Sequence, residues 1–265
     1  MFVPMYAEAA PLIEKLHLKR TELFGNIQTF SNEDILLAIC GTGMLNAAVS
    51  ASAVLARNEA GARDFLVSYG SCASQKKTKG LYLLHSLKDQ NTERTYYPDI
   101  LYQTNLEEAS LLTGSGIYQK NFSFTEDLYD MEGASIFHAA SFFMGPHQML
   151  FFRFVSDDGE IRAMNSEVMK SLSEQYADTV IEILKRLPVS EKQQEEEDLS
   201  QLYFDLGCSE TMKRELNKLI HYAQLEKIPW KEKITSFYDA DILPVKTKEE
   251  GKKVFYELRS FILDE

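Results

Sequence analysis

Short apolar, β-branched runs alternate with helix-period segments along the first 187 residues, and the alternation predicts strands separated by helices. Phe2-Val3-Pro4-Met5 reads as a first strand, and Leu12, Ile13, Leu16 and Leu18 recur at helical spacing within residues 8–18. Pro11 suits that helix only in its first turn. Residues 23–30 and 35–40 read as two strands joined by the turn Ser31-Asn32-Glu33-Asp34. A glycine turn, Gly41-Thr42-Gly43, then leads into a helix over residues 44–55. Phe65-Leu66-Val67-Ser68-Tyr69 is a further buried strand, ending in the small-residue turn Gly70-Ser71-Cys72-Ala73-Ser74. Residues 80–87 are strand-like, 91–98 form a polar loop, and 109–113 lead into Gly114-Ser115-Gly116-Ile117-Tyr118. The small, uncharged stretch 133–143 predicts a helix packed closely on the sheet, 150–155 a buried strand, and 165–187 a long closing helix. Together these elements predict a three-layer α/β/α sandwich around a mostly parallel central sheet.

The pattern changes after residue 187. Residues 188–198 contain Gln193-Gln194-Glu195-Glu196-Glu197-Asp198 and read as an acidic linker, because such a run is solvated. Residues 199–265 read as a small helical module. Ser209 is placed to cap a helix bearing Met212, Leu216, Leu219 and Ile220, and Thr247-Lys248-Glu249-Glu250 has capping-box spacing ahead of Val254, Phe255, Leu258, Phe261 and Ile262. Trp230 is expected to plug that module's core. Lys213, Arg214 and Lys218 raise a helix-turn-helix reading, but the module's eleven Lys and Arg face twelve Asp and Glu. A balanced charge grips phosphates weakly, so protein docking or oligomerisation is favoured over DNA binding.

Charge and cysteine usage narrow the picture. A net charge of -12 argues against nucleic acid or an anionic membrane as the main partner and favours a small-molecule ligand. Cys40, Cys72 and Cys208 are too few and too scattered for a disulfide framework or a zinc cluster, which points to free thiols in a reducing cytoplasm and calls for no metal or cofactor. Residues 1–6 are too short for a signal peptide, and the uncharged run 133–152 is broken by Gly145-Pro146-His147-Gln148, so it reads as helix-turn-strand rather than a membrane span.

The candidate chemistry lies between residues 130 and 157. Asp130-Met131-Glu132-Gly133-Ala134 stands one helix length ahead of Arg153-Phe154-Val155-Ser156-Asp157. The strand delivers Ser156-Asp157-Asp158-Gly159 to its carboxyl end, the edge where open α/β sheets bind ligands. Glu132, at the mouth of a helix, is favoured by the helix dipole and could accept hydrogen bonds from a sugar diol. The bland alternative is that Glu132 caps its helix and Asp157 caps a turn.

Five segments in order resemble the nucleoside phosphorylase/nucleosidase superfamily, most nearly methylthioadenosine/S-adenosylhomocysteine nucleosidase-like proteins. They are Ala7-Glu8 with Leu12-Ile13, Gly41-Thr42-Gly43 with Asn46-Ala47-Ala48, Gly70-Ser71-Cys72-Ala73, the Asp130 block and the Arg153 run. The resemblance implies hydrolysis of the N-glycosidic bond of a purine nucleoside, by a homo-oligomer with a dimer favoured. It implies that Glu132 binds the ribose hydroxyls, that Met131 packs on the sugar and that Asp157 protonates purine N7, held in place by Ser156 and Arg153. It assigns the attacking water to Glu8, the pocket wall to Ser71 and Cys72, and the sandwiching and reading of the base to Ile117 and the Tyr118 backbone. Three departures leave the substrate's 5′ substituent open. Cys72 replaces a usual alanine, Lys79-Gly80-Leu81 lacks an aspartate after the glycine, and Asp158-Gly159-Glu160 replaces the usual continuation.

Two other functions compete. A phosphate-dependent phosphorylase needs converging arginines, and none of Arg20, Arg57, Arg63 and Arg94 lies in a motif resembling a phosphate site. A non-catalytic nucleoside-binding or docking protein is disfavoured by retention of Glu8, Glu132 and Asp157 together.

Overall fold

Residues 1–21, 26–58, 60, 64–120, 122–159, 165–188, 198–226 and 228–263 are described in the computed structural model. The chain divides into two compact units, Met1–Ser190 and Glu191–Glu265. The first unit opens with β1 (Phe2–Val3), α1 (Tyr6–Lys15), β2 (Lys19–Thr21), β3 (Thr29–Ser31), β4 (Leu36–Ile39) and α2 (Met44–Arg57). Five strands follow: β5 (Leu66–Ala73), β6 (Leu81–Asp89), β7 (Thr95–Tyr96), β8 (Glu107–Thr113) and β9 (Leu128–Asp130). The unit closes with α3 (Gly133–Ala140), β10 (Met149–Asp157) and α4 (Ser166–Leu184).

The ten strands among the described residues join one sheet, in the order β10-β6-β8-β9-β5-β1-β4-β3-β2 with β7 on β6. The expected mostly parallel sheet is corrected here. β10 lies antiparallel to β6 but also runs parallel along β5, which meets β9 antiparallel at Ala73 and Tyr129. Strands β10, β6, β8, β9 and β5 therefore close into a ring, and the sheet is mixed. Twist explains the closure, because β5, β6 and β10 have eight or nine residues each and coil far enough to meet. Hydrophobic periodicity carries no information on strand direction.

Helices cover both faces. α1 and α4 pack together over an apolar cluster that includes Leu12, Val67, Tyr69, Phe152, Phe154 and Val180. α2 and α3 pack together over another that includes Ala47, Ala51, Ala134, Phe137, Phe151 and Val155. Alternation along β10 divides its side chains between the two clusters, and each fully buried phenylalanine contributes about 1.5–3 kcal/mol.

Several local expectations shift. Pro11 is the sixth residue of α1, beyond the first turn, where it deprives the Ala7 carbonyl of its helical donor. Of the strand expected at 23–30 only Thr29–Ser31 is seen, with 22–25 outside the described residues. The expected turn at Gly70–Ala73 is instead the end of β5. The three-residue β9 and the edge strand β2 were too short or too polar to stand out in the sequence.

The second unit is helical, with α5 (Ser200–Asp205), α6 (Glu210–Leu225), α7 (Trp230–Asp239) and α8 (Lys248–Leu263). Both expected caps form. The Ser209 hydroxyl accepts from the Met212 amide at 3.3 Å, and Thr247 and Glu250 exchange side chain-to-amide bonds at 3.2 and 3.1 Å. Trp230 is buried with Leu216, Phe237 and Leu258, and it opens a helix the pattern had not indicated. The expected acidic linker lies almost wholly outside the described residues. Among the described residues, no helix is long and apolar enough to cross a membrane.

Candidate functional site

Parallel strands β4, β1, β5 and β10 end on one edge of the sheet. The neighbours β1 and β4 send their following helices to opposite faces, α1 onto one apolar cluster and α2 onto the other. A crevice at such a switch point is where α/β sheets place ligands.

Glu8 stands there as the third residue of α1 and is fully buried, not the exposed acid of an ordinary first turn. Its Oε1 accepts from the Ser71 amide at 2.8 Å and its Oε2 from the Met5 amide at 3.1 Å. Burial pushes its pKa up, against the pull of the Ser71 hydrogen bonds and the Arg153 charge. Gly70 lets Pro4 approach β5 beside this carboxylate, since an added Cβ would lie 3.0 Å from Pro4 Cδ. Behind it, the Ser173 hydroxyl of α4 donates to the Glu8 carbonyl at 2.6 Å, and Tyr69 donates to the Ser173 carbonyl at 3.0 Å.

Glu132 is the N-cap residue of α3, yet its side chain makes no cap bond. It reaches instead to the amide of Gly43 at the mouth of α2, 2.6 Å from Oε1. Burial first, and then the nearby Asp130 charge, push its pKa up to about 7. Asp130 and Thr113 cap α3 in its place. Asp130 Oδ2 accepts from the Gly133 amide at 2.8 Å, and Thr113 Oγ1 accepts from the Ala134 amide at 2.9 Å.

Arg153 was expected to hold Asp157, and its contacts correct that. It is fully buried. Its Nε donates to Asp130 Oδ2 at 2.9 Å, with Nη2 2.8 Å from the same oxygen. Both terminal nitrogens donate to Ser68 Oγ at 3.1 Å, and Nη1 also donates to the Phe152 carbonyl at 2.8 Å. Four hydrogen bonds and the ion pair thus tie the guanidinium to Asp130, Ser68 and the Phe152 carbonyl. Asp157 lies four residues further along β10, about 13 Å away at strand rise.

Asp157 is half-buried at the end of β10. Its Oδ1 accepts from the Gly159 amide at 2.9 Å and its Oδ2 from the Ser156 hydroxyl at 2.7 Å, so the expected Ser156 contact is present. Ser71 and Cys72 lie beside Phe154 and Val155 on adjoining strands. Cys72 is buried with its thiol 3.5 Å from the Phe154 carbonyl, and burial pushes its pKa well above the usual thiol value. That thiol feels the charges of Arg153, Asp130, Asp157 and Glu8, which places it among the acidic groups of the site.

Met131 packs beside Tyr118 and Tyr129. The Tyr118 ring is buried against Phe124 and Tyr129, and the Lys120 amide donates to the Gly159 carbonyl at 3.2 Å, so this segment runs beside the Asp157 loop. Ile117, expected to sandwich a base, is 81% exposed. Asp130 stands in the sequence block with no expected role, and neither Thr113 nor Ser68 is marked out by the sequence. The available signal is a lone arginine within the apolar run 149–155, which demands a buried acid. Among the described residues, no group of three or more His, Cys, Asp or Glu could hold a metal ion.

No family model matches the chain, and no curated protein matches it by sequence. Solved structures do match. The 5′-methylthioadenosine/S-adenosylhomocysteine nucleosidase of Campylobacter jejuni is 18% identical over 70% of this chain and 97% of that chain, with a TM-score of 0.58. The corresponding enzyme of Neisseria meningitidis, in complex with methylthio-immucillin-A, is 18% identical over 69% and 96%, also at 0.58. The 5′-methylthioadenosine nucleosidase of Arabidopsis thaliana is 16% identical over 71% and 94%, again at 0.58. At such identities the likeness speaks for architecture alone, and this chain has the fold of the methylthioadenosine/S-adenosylhomocysteine nucleosidases.

Proposed function

We propose that the protein hydrolyses the N-glycosidic bond of a purine nucleoside of the methylthioadenosine/S-adenosylhomocysteine type and releases free base. The observation that carries this reading is a pair of buried carboxylates, Glu8 and Glu132, held by the backbone amides of Met5 and Gly43 at the mouths of α1 and α2 and of Ser71 on β5. In the proposed reaction Glu132 accepts from the ribose hydroxyls. Glu8 takes a proton from water as the water oxygen bonds to C1′. Each Glu8 oxygen accepts one amide, which leaves lone pairs for that water. The C1′–N9 bond breaks, its electrons pass into the purine, and Asp157 protonates N7. A raised pKa makes Glu8 a stronger base than an exposed glutamate, which suits the task.

Hydrolysis is favoured over phosphorolysis because the donors of buried Arg153 are taken by Asp130, Ser68 and Phe152. Arg20, Arg57 and Arg94 are exposed, and Arg63 lies outside the described residues. The proposal includes a cytoplasmic homo-oligomer, a dimer favoured, with residues 1–187 carrying the chemistry and residues 199–265 a docking or oligomerisation role.

The test incubates purified protein with methylthioadenosine, S-adenosylhomocysteine, adenosine and inosine, with and without phosphate, and follows free base by mass spectrometry. Release without phosphate supports hydrolysis. Release only with phosphate identifies a phosphorylase, and no release identifies a binding protein.

A further inference from the structure

The proposed reaction uses Glu8, Glu132 and Asp157 and leaves Asp130 idle, although Asp130 is buried and fully engaged. Its Oδ1 accepts from Thr113 Oγ1 at 2.6 Å, while its Oδ2 accepts both the Gly133 amide and Arg153 Nε. Gly133 is pressed against this carboxylate, since an added Cβ would lie 3.0 Å from Asp130 Oδ2 and 2.6 Å from Leu111 Cδ2. An oxygen-bearing side chain at the N-cap position can turn back onto the first amides of its own helix. In α3 those amides, Gly133 and Ala134, end on Asp130 and Thr113. Glu132 is thereby released to reach across to Gly43.

We propose that Asp130 and Thr113 are positioning residues that cap α3 in place of Glu132, so that the Glu132 carboxylate stays available to a sugar diol, and that Arg153 holds Asp130 in that role. The inference rests on the reading of Glu132 as the acceptor for the ribose hydroxyls. Its geometry draws on four strands, with Thr113 on β8, Asp130 on β9, Arg153 on β10 and Ser68 on β5.

Asp130→Asn would strand a buried guanidinium and threaten the fold. Thr113→Val keeps the shape while removing the acceptor for Ala134 and the donor to Asp130, so it is the informative variant. The probes are adenosine and 2′,3′-dideoxyadenosine, compared by the ratio of kcat/KM. With the borrowed cap gone, Glu132 turns back to its own helix, and the preference for adenosine falls about tenfold, the effect of one charge-assisted hydrogen bond. Equal losses on both probes, or no loss, overturn the proposal. A wild-type protein that releases base from neither probe and from none of the four nucleosides of the assay above overturns the hydrolytic function instead. A second measurement then decides the inference without turnover. The pH-dependent stability difference between wild type and Glu132→Gln is repeated in the Thr113→Val background, where it shrinks if Glu132 has joined the α3 cap and stays unchanged if the proposal is wrong.

Discussion

Replacing Glu132 with glutamine is expected to stabilise the first unit as pH rises, while removing its grip on a sugar. Glu132 is 5% exposed, and burial together with the Asp130 charge outweighs the Gly43 amide and Arg153, so its carboxyl is pushed from 4.5 to about 7. Each pKa unit corresponds to about 1.4 kcal/mol, so ionising Glu132 costs the folded state about 3 kcal/mol relative to the unfolded chain. The sign follows from proton counting. Between those two values the folded state holds more protons than the unfolded one, so this contribution is full below about pH 4.5 and is lost as pH rises through about 7. Glutamine stays neutral throughout. The stability advantage of Glu132→Gln over wild type should therefore grow by about 3 kcal/mol from about pH 4.5 to about pH 8. Urea denaturation across that range measures it, followed by circular dichroism because the single tryptophan, Trp230, lies in the second unit. A difference that stays flat with pH would mean that Glu132 ionises as in the unfolded chain, and the argument from burial would fail.

Three further predictions follow from the same geometry. Asp157→Asn should slow base release by about a hundredfold or more, the scale of a lost general acid, and an undiminished rate would remove Asp157 from the mechanism. Since burial raises the pKa of Glu8, the acidic limb of kcat/KM should rise with pH through a midpoint above that of an ordinary glutamate and vanish in Glu8→Gln; a limb that survives the substitution belongs to another group. Gly251→Ala would place a Cβ 2.0 Å from the Leu206 carbonyl, so the second unit should lose about 1–3 kcal/mol despite alanine's better helix propensity. Trp230 fluorescence in urea reads this directly, and an unchanged midpoint would refute the close approach of α8 to α5.

What could be read locally was read well from the chain. Ser209 and the Thr247–Glu250 box cap their helices as spacing indicated, because a cap needs only neighbours three residues away. The glycine turn before α2, the small-residue helix α3 and the apolar strand β10 also follow from composition within a few residues. Glu132 and Asp157 were identifiable as candidates from their places at a helix mouth and a strand end, and Glu8 from the family resemblance alone. Their partners were not. Arg153 and Asp130 are 23 residues apart, and only the register of β10 and β9 within the ring brings the guanidinium to that acid rather than to Asp157. The exposure of Ile117 and the position of Pro11 past the first turn likewise depend on where flanking segments settle. The sequence by itself determined the periods, the caps and the carboxylates, which are properties of neighbouring residues. Tertiary structure alone decided the closed ring, the pairing of Arg153 and the release of Glu132 from its own helix, because strand direction and the partners of buried charges are settled by contacts between residues far apart in the chain.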